Sequence, residues 1–521
     1  MAQFLRYKDS ASGRLKFGIS ATCANSYNPG QIARRQACTD KEMGDAVNLS
    51  EELRSSRRDR PARGSYSRCV LALIGTLTVS ATVCAQQKTG PGIEGDDGLT
   101  WRGITLYGVV DIGLQYDTHS APFTPYRPAA SGNIVRQNDY SSVIGLTPSN
   151  MGQSRVGLQG IEPLTGNWSA VFQVETFFNP QSGEIANSAK SLAVNNGRSL
   201  GSQSVGVDGS SAGQALQTAF VGVKSAQFGT LTFGRQVTLL NEGTIKYDPN
   251  YNASAFGLLG ASNTYSGGGT NEDNRLDSTA KYYVSFSDLV HVAALYKFNG
   301  SRAAANTAVQ ADLGAQYAGL AVDAYFSKLH SAIVATSLSA AQVTELPALG
   351  YSVTNSLAAT ISDDTTYSLM AKYEFEPFKL FAGYMHIKYA NPADPLPAGF
   401  TNIGGYVLAF VTNNAYNKAK TNRVYWTGVR YTVIPELDLT VAYYGYDQNA
   451  YGTGTQAGCS TTAHSACSGS LDAFSFDADY HLTAHFDTYL GAMYSGVHDG
   501  LASGYFHSTN INPTIGVRFK F

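Results

Sequence analysis

The amino-acid sequence predicts an all-β fold, a transmembrane antiparallel β-barrel of sixteen strands, on three observations. Segments of about ten residues recur in which apolar and polar side chains alternate, the strand length a tilted membrane barrel needs. The connections between them are by turns short and long. The final segment ends on an aromatic residue, Phe521. Ile515, Val517, Phe519 and Phe521 share one of its faces, and Thr514, Gly516, Arg518 and Lys520 share the other. A strand has period two, so this segment is apolar on one side and polar on the other. Exposed at the edge of a soluble sheet it would invite aggregation; closing a barrel, it leaves no edge.

Composition favours one large barrel over a string of soluble domains. The 521 residues include 53 Gly, 32 Tyr and 24 Phe but only 15% charged residues, and no apolar run could cross a bilayer as a helix. A wall half in lipid and half wet has this balance.

The N-terminal region reads differently. Residues 1–85 are expected to be an extension plus a signal peptide, 86–102 a short leader, and 103–521 the barrel. Arg54, Arg57, Arg58, Arg60, Arg63 and Arg68 precede the apolar stretch CVLALIGTLTVSATVCA, which ends in small residues. Basic, apolar, then small is the order of a secretory signal, with cleavage expected between Ala85 and Gln86. A short buried helix is the competing reading, and Val83 before Cys84 disfavours a lipoprotein signal. Signals run to about 15–30 residues, so residues 1 to about 50 exceed the need and read as an over-extended start.

Without residues 1–85 the chain keeps 24 basic and 32 acidic residues, a net charge of −8, which argues against a nucleic-acid partner. Four of the six cysteines lie within 1–85. Cys459 and Cys467 remain, close together in a Gly/Ser/Thr-rich loop, and in an oxidising compartment are expected to pair.

Strand starts fall near residues 103, 150, 167, 217, 229, 277, 289, 306, 320, 363, 378, 421, 437, 470, 485 and 509. Tight turns are expected at 162–166, 226–228, 287–289, 318–319, 375–377, 434–436 and 483–485. Long polar loops are expected at 118–150, 179–216, 237–276, 328–362, 390–420 and 449–469. Turns on one rim and loops on the other are the rhythm of a membrane barrel. Val290, Val292, Ala294, Tyr296 and Phe298 form one apolar face, opposite His291, Lys297 and Asn299. Phe474, Phe476, Ala478, Tyr480 and Leu482 form another, opposite Ser475, Asp477, Asp479 and His481. Trp168, Tyr373, Tyr389, Trp426, Tyr443 and Tyr489 stand near strand ends, where interfacial girdles are expected. Sixteen strands leave an aqueous lumen.

Catalytic signals are weak. The nine histidines are scattered, and no carboxylate stands at metal-site spacing from His481 and His485. The Gly-rich run near 454 lies in a loop, and no nucleophile elbow has its strand–turn–helix setting. No enzyme, cofactor or metal site is expected.

In TLYGVVDIGLQY (105–116), SRVGLQGIEPL, WSAVFQVETFF, QTAFVGVKSAQFGTLTFGRQ, DADYHLTAHFDTYLGAMYS and the terminal GVRFKF, taken in order, the chain resembles the general porins of Gram-negative outer membranes, particularly the β-proteobacterial type. The resemblance covers everything after residue 85. It implies a homotrimer in contact with the lipid bilayer and lipopolysaccharide, and passive diffusion of small hydrophilic solutes and ions. A substrate-specific channel, or a non-channel barrel for adhesion or anchoring, are the alternatives. It also implies that the third loop, residues 237–276, folds into the lumen and sets acidic residues against a basic cluster on the wall. Arg155, Arg235 and Arg275 match the basic positions, and Glu242 and Asp248 are the acidic partners on the loop. Val109 stands where some relatives carry lysine.

Alternation bears on the same residues. Arg155 shares a face with Gly157 and Gln159, opposite Val156 and Leu158, which points it inward; a rim arginine on lipid headgroups is the other reading. Arg235 alternates with Phe233, so a bulge is needed to turn it inward. Glu175 falls with Gln173 on an inward face as a further constriction acid. Asp111, Arg518 and Lys520 are expected in the lumen.

Overall fold

The computed structural model describes residues 99–123, 139–204, 215–259, 274–300, 306–454, 458–459, 466–502 and 505–521. The expected signal, its cleavage point and the leader before residue 99 lie outside the described residues. The strands are β1 (Ile104–Asp117), β2 (Val143–Pro148 continued by Arg155–Pro163), β3 (Trp168–Phe177), β4 (Thr218–Ser225), β5 (Gly229–Val237), β6 (Arg275–Phe286), β7 (Val290–Lys297) and β8 (Ala308–Tyr317). There follow β9 (Leu320–Thr336), β10 (Ser356–Phe375), β11 (Phe378–Ala390), β12 (Lys420–Ile434), β13 (Leu437–Gln448), β14 (Gly469–His481), β15 (Phe486–Asp499) and β16 (Thr509–Ile511 continued by Thr514–Lys520). Each pairs antiparallel with its neighbours, so the described residues make a closed sixteen-strand barrel. β16 closes on β1 in register from Val109 opposite Lys520 to Gln115 opposite Thr514. Phe521 adds two backbone bonds to Gly108, at 2.8 and 3.1 Å.

Turn chemistry explains the short rim. Gly229 enters β5 at φ +80°, and Gly319, at φ +83°, turns β8 into β9, a conformation that costs an L side chain and suits glycine. The connection 226–228 is held by the Ser225 hydroxyl, which accepts from the backbone N–H of Gln227 and Phe228.

Alternation sorts the two faces. Val221, Phe233, Leu313, Tyr367, Phe474, Leu490 and Ile515 form the outer apolar belt, each at least half exposed. Asp111, Gln115, Thr232, Gln310, Thr366, Asp477 and Asp487 face inward and are buried. This inversion, oil outside and polarity inside, is the lipid-facing pattern. β9 and β10 continue past the belt. There Ile333, Ala335, Leu357 and Ile361 close an apolar cluster with Leu192 and with Ile403 and Leu408 of a small hairpin, Phe400–Ile403 and Tyr406–Thr412. Cys459 and Cys467 are joined by a disulfide in the loop before β14.

The girdle expectation holds only in part. Trp168 and Tyr373 are exposed outward, and Trp168 stacks on Phe228. Tyr389, Trp426 and Tyr489 are buried on the inner face. Parity within the strand, rather than nearness to its end, decides the side.

Candidate pore constriction

The third loop begins with a helix, α1 (Leu239–Tyr247), whose sequence fixes both its ends and its packing face. Thr238 caps it, its hydroxyl accepting from the Asn241 N–H, and Glu242 in the first turn and Lys246 in the last suit the helix dipole. Leu239, Leu240 and Tyr247 are buried against the barrel's inner wall.

From α1 onward the loop follows that wall strand by strand. The Leu239 N–H donates to Gln310 of β8 at 2.9 Å, and Lys246 Nζ lies 2.8 Å from Asp323 of β9. Trp426 of β12 donates its indole N–H to the Tyr247 carbonyl at 2.9 Å, and Tyr444 of β13 donates to Asp248 at 2.5 Å. Asn250 bonds Ser475 of β14 at 3.1 Å, Phe256 meets Tyr489 of β15 edge-on, and Asn512, beside β16, donates to the Ala255 carbonyl. Buried partners at each step leave this segment few alternative positions.

Opposite the loop, three strands bring charges together. Arg155 on β2 places Nε 3.4 Å from Glu175 Oε2 on β3, and Arg275 at the start of β6 reaches Glu175 Oε1 at 3.7 Å. Arg275 also lies over the Phe177 ring, 4.5 Å from its centroid. Tyr107 of β1 donates to Glu175 at 3.2 Å and accepts from Gln173 at 2.5 Å. Lys281 on β6 lies 2.6 Å from Glu242 of α1 and also donates to the Val237 carbonyl. Gln173, Glu175, Thr232, Gln236, Glu242 and Lys281 line one pocket. Three cations and two carboxylates therefore converge between wall and loop. Lys281 was missed in the sequence, although it shares Thr279's face.

Other expected residues lie elsewhere. Arg235 faces Ala219 in register, beside the outward pair Val221 and Phe233, and its guanidinium pairs with Asp277. The irregularity after Gly234 skips one residue on β5 and two on β6, so Thr232 and Gln236 both stay inward and Arg235 keeps the outward parity. Asp248 has no solvent exposure. It closes the end of α1, accepting from Tyr444 and from the Asn250 and Asn252 N–H groups, and burial pushes its carboxyl up to about 6. Asp111 is inward but covered by residues 149–154. It accepts from Met151 and Gly152, both at 2.8 Å, and from Tyr489 at 2.6 Å. Arg518 and Lys520 meet at Asp487, the latter at 3.0 Å, and Arg518 also binds Asp479 at 2.8 Å. Val109 is buried on the inner face near Arg155.

Comparison with known proteins agrees with this architecture. An outer membrane porin of Bordetella pertussis is 31% identical over 146 residues, which is 28% of this chain and 31% of that protein. The match thus spans about a third of that relative's length. An anion-selective porin from Comamonas acidovorans has a similar fold, with a TM-score of 0.52 at 14% identity over 80% of this chain and 99% of the other. A loop-deletion form of OmpT, an outer membrane protein of Vibrio cholerae, aligns over 80% of this chain and 99% of its own, at a TM-score of 0.49 and 16% identity. Residues 70–500 match the family model described as Gram-negative porin, and the chain belongs to that family.

Proposed function

We propose that this outer-membrane barrel is a water-filled channel for passive diffusion of small hydrophilic solutes and ions, working as a homotrimer in contact with lipopolysaccharide and without enzymatic activity. The observation that carries the reading is the charge cluster on the inner wall, Arg155 and Arg275 about Glu175, together with the Lys281–Glu242 pair that joins the wall to the loop. Fixed charges of both signs on the wall of a water-filled lumen set a local field. A polar solute crosses it by aligning its dipole, whereas an apolar solute only disrupts ordered water. Arginine suits such a row because its guanidinium stays charged and is weakly hydrated. The surplus of one positive charge in this group favours anions at the neck, against the acidic balance of the chain as a whole.

Single-channel recording on the folded chain in planar bilayers tests this. Stepwise ohmic conductance without saturation by any one solute is expected. Block by one sugar or anion at low concentration would instead mark a substrate-specific channel, and absence of conductance a non-channel barrel.

A further inference from the structure

We propose that the inner wall carries a binding site for a divalent transition-metal ion of the zinc class, built from His291, Asp312 and Asp323. The three residues come from successive strands β7, β8 and β9. They are 8, 7 and 1% exposed, and one ligand atom from each lies within 4.8 Å of the others. His291 Nε2 is 3.1 Å from Asp312 Oδ2 and 3.7 Å from Asp323 Oδ2. A tetrahedral zinc ion with bonds of about 2.0–2.2 Å holds its ligand atoms about 3.3–3.6 Å apart, between these two separations, and the adjustment is within reach of carboxylate rotation.

Two independent features point to a cation. Asp312 Oδ1 and Asp323 Oδ1 are both buried without a hydrogen-bond partner, an expensive state for a carboxylate oxygen. Asp323 Oδ2 takes Lys246 at 2.8 Å and Tyr325 at 2.9 Å, so the one ammonium that reaches this group is held by Asp323, while Asp312 Oδ2 has the His291 ring. In addition, Gly314 stands in register between His291 and Asp323. A Cβ there would collide with the His291 ring and with Asp323 Oδ1, so the missing side chain is what lets the two converge. One imidazole and two carboxylates select zinc, nickel or copper over magnesium or calcium, which prefer all-oxygen sets.

The barrel contains its own contrast. Asp479, His481 and Asp487 also cluster. Arg518 and Lys520 already bind those carboxylates at 2.6–3.0 Å, so cations fill that place. At the proposed site Lys246 is the resident competitor, and it rides on α1 rather than on the wall.

The test is calorimetric titration of zinc chloride into the folded, untagged chain in detergent, with excess magnesium present. Folding is checked separately by heat-shifted electrophoretic mobility. We expect one ion per chain, weakened about tenfold or more by Asp312→Asn and by His291→Gln, strengthened by Lys246→Met, and unaffected by His481→Gln. Absence of saturable zinc binding by the folded wild type would overturn the proposal, as would displacement by magnesium or binding that survives His291→Gln. Calorimetry does not depend on conduction, so failure here is separate from failure of the channel reading.

Discussion

Glu175 Oε2 lies 3.4 Å from Arg155 Nε, on adjacent strands and with both side chains nearly buried. Arg275 approaches the other carboxylate oxygen, so a single acid separates two cations. A unit charge about 6 Å from a passing ion, in a water-like dielectric, is worth about 0.7 kcal/mol, and because it acts with opposite sign on cation and anion it changes their permeability ratio about tenfold. Arg155→Ser or Arg275→Ser should move zero-current potentials under a salt gradient toward cations by about that factor. Glu175→Gln should move them toward anions. Unchanged potentials in all three would remove this group from the ion path.

The Tyr444 hydroxyl anchors the end of α1 to the far wall through Asp248. Tyr444→Phe keeps the ring and deletes the donor, leaving a buried carboxylate short of one partner at a cost of about 1–3 kcal/mol. The loop should loosen while the wall persists. Expected are noisier, larger single-channel steps with unchanged heat-shifted mobility. Quiet wild-type steps would show that Trp426 and Asn250 hold the loop unaided.

Asp248 also predicts a pH dependence. Burial raises its carboxyl from 3.8 to about 6, against the opposing effects of Tyr444, the Asn250 and Asn252 N–H groups and Arg430. Between those values the folded chain keeps a proton that the unfolded chain has released. Stability from this group therefore falls as pH rises from about 4 to about 6 and is level above that, by about 3 kcal/mol at most. Thermal midpoints across that window should decline in the wild type, and Asp248→Asn should flatten the decline. An equal slope in both would assign the effect to other carboxyls.

The wall was legible in the sequence because its physics is local. Period-two alternation placed Val290, Tyr296 and Phe298 outside and His291 and Lys297 inside without knowledge of the neighbouring strands. Side chains whose surroundings come from distant strands were harder to read. Asp248 was expected to face the basic cluster, because its actual partner Tyr444 is 196 residues away. Trp426 and Tyr489 looked interfacial by position, yet parity turned them onto the loop and onto Asp111. Arg235 needed a bulge of one particular parity, and the two-residue skip opposite it on β6 has no signature in the β5 sequence. His291, Asp312 and Asp323 include no close-spaced ligand pair of the kind that marks a metal motif, and only strand register brings them together.

The outer belt offers the most direct test of the barrel itself. Phe474 and Leu490 are 55 and 54% exposed, and both lie within their strands rather than at the rims. In a soluble sheet an arginine at such a site would be harmless or helpful, because its guanidinium would meet water. In lipid the same change strips water from a charge, costing about 2–4 kcal/mol at mid-depth and falling to about 0–1 near the interface. Phe375, at the end of β10 beside the turn into β11, supplies the shallow comparison. Phe474→Arg and Leu490→Arg should lower unfolding free energy in vesicles by amounts in the first range, and Phe375→Arg by an amount in the second. A flat response along the strand would mean that the apolar face does not meet lipid, and a soluble or protein-covered sheet would then be the only architecture left for this alternation.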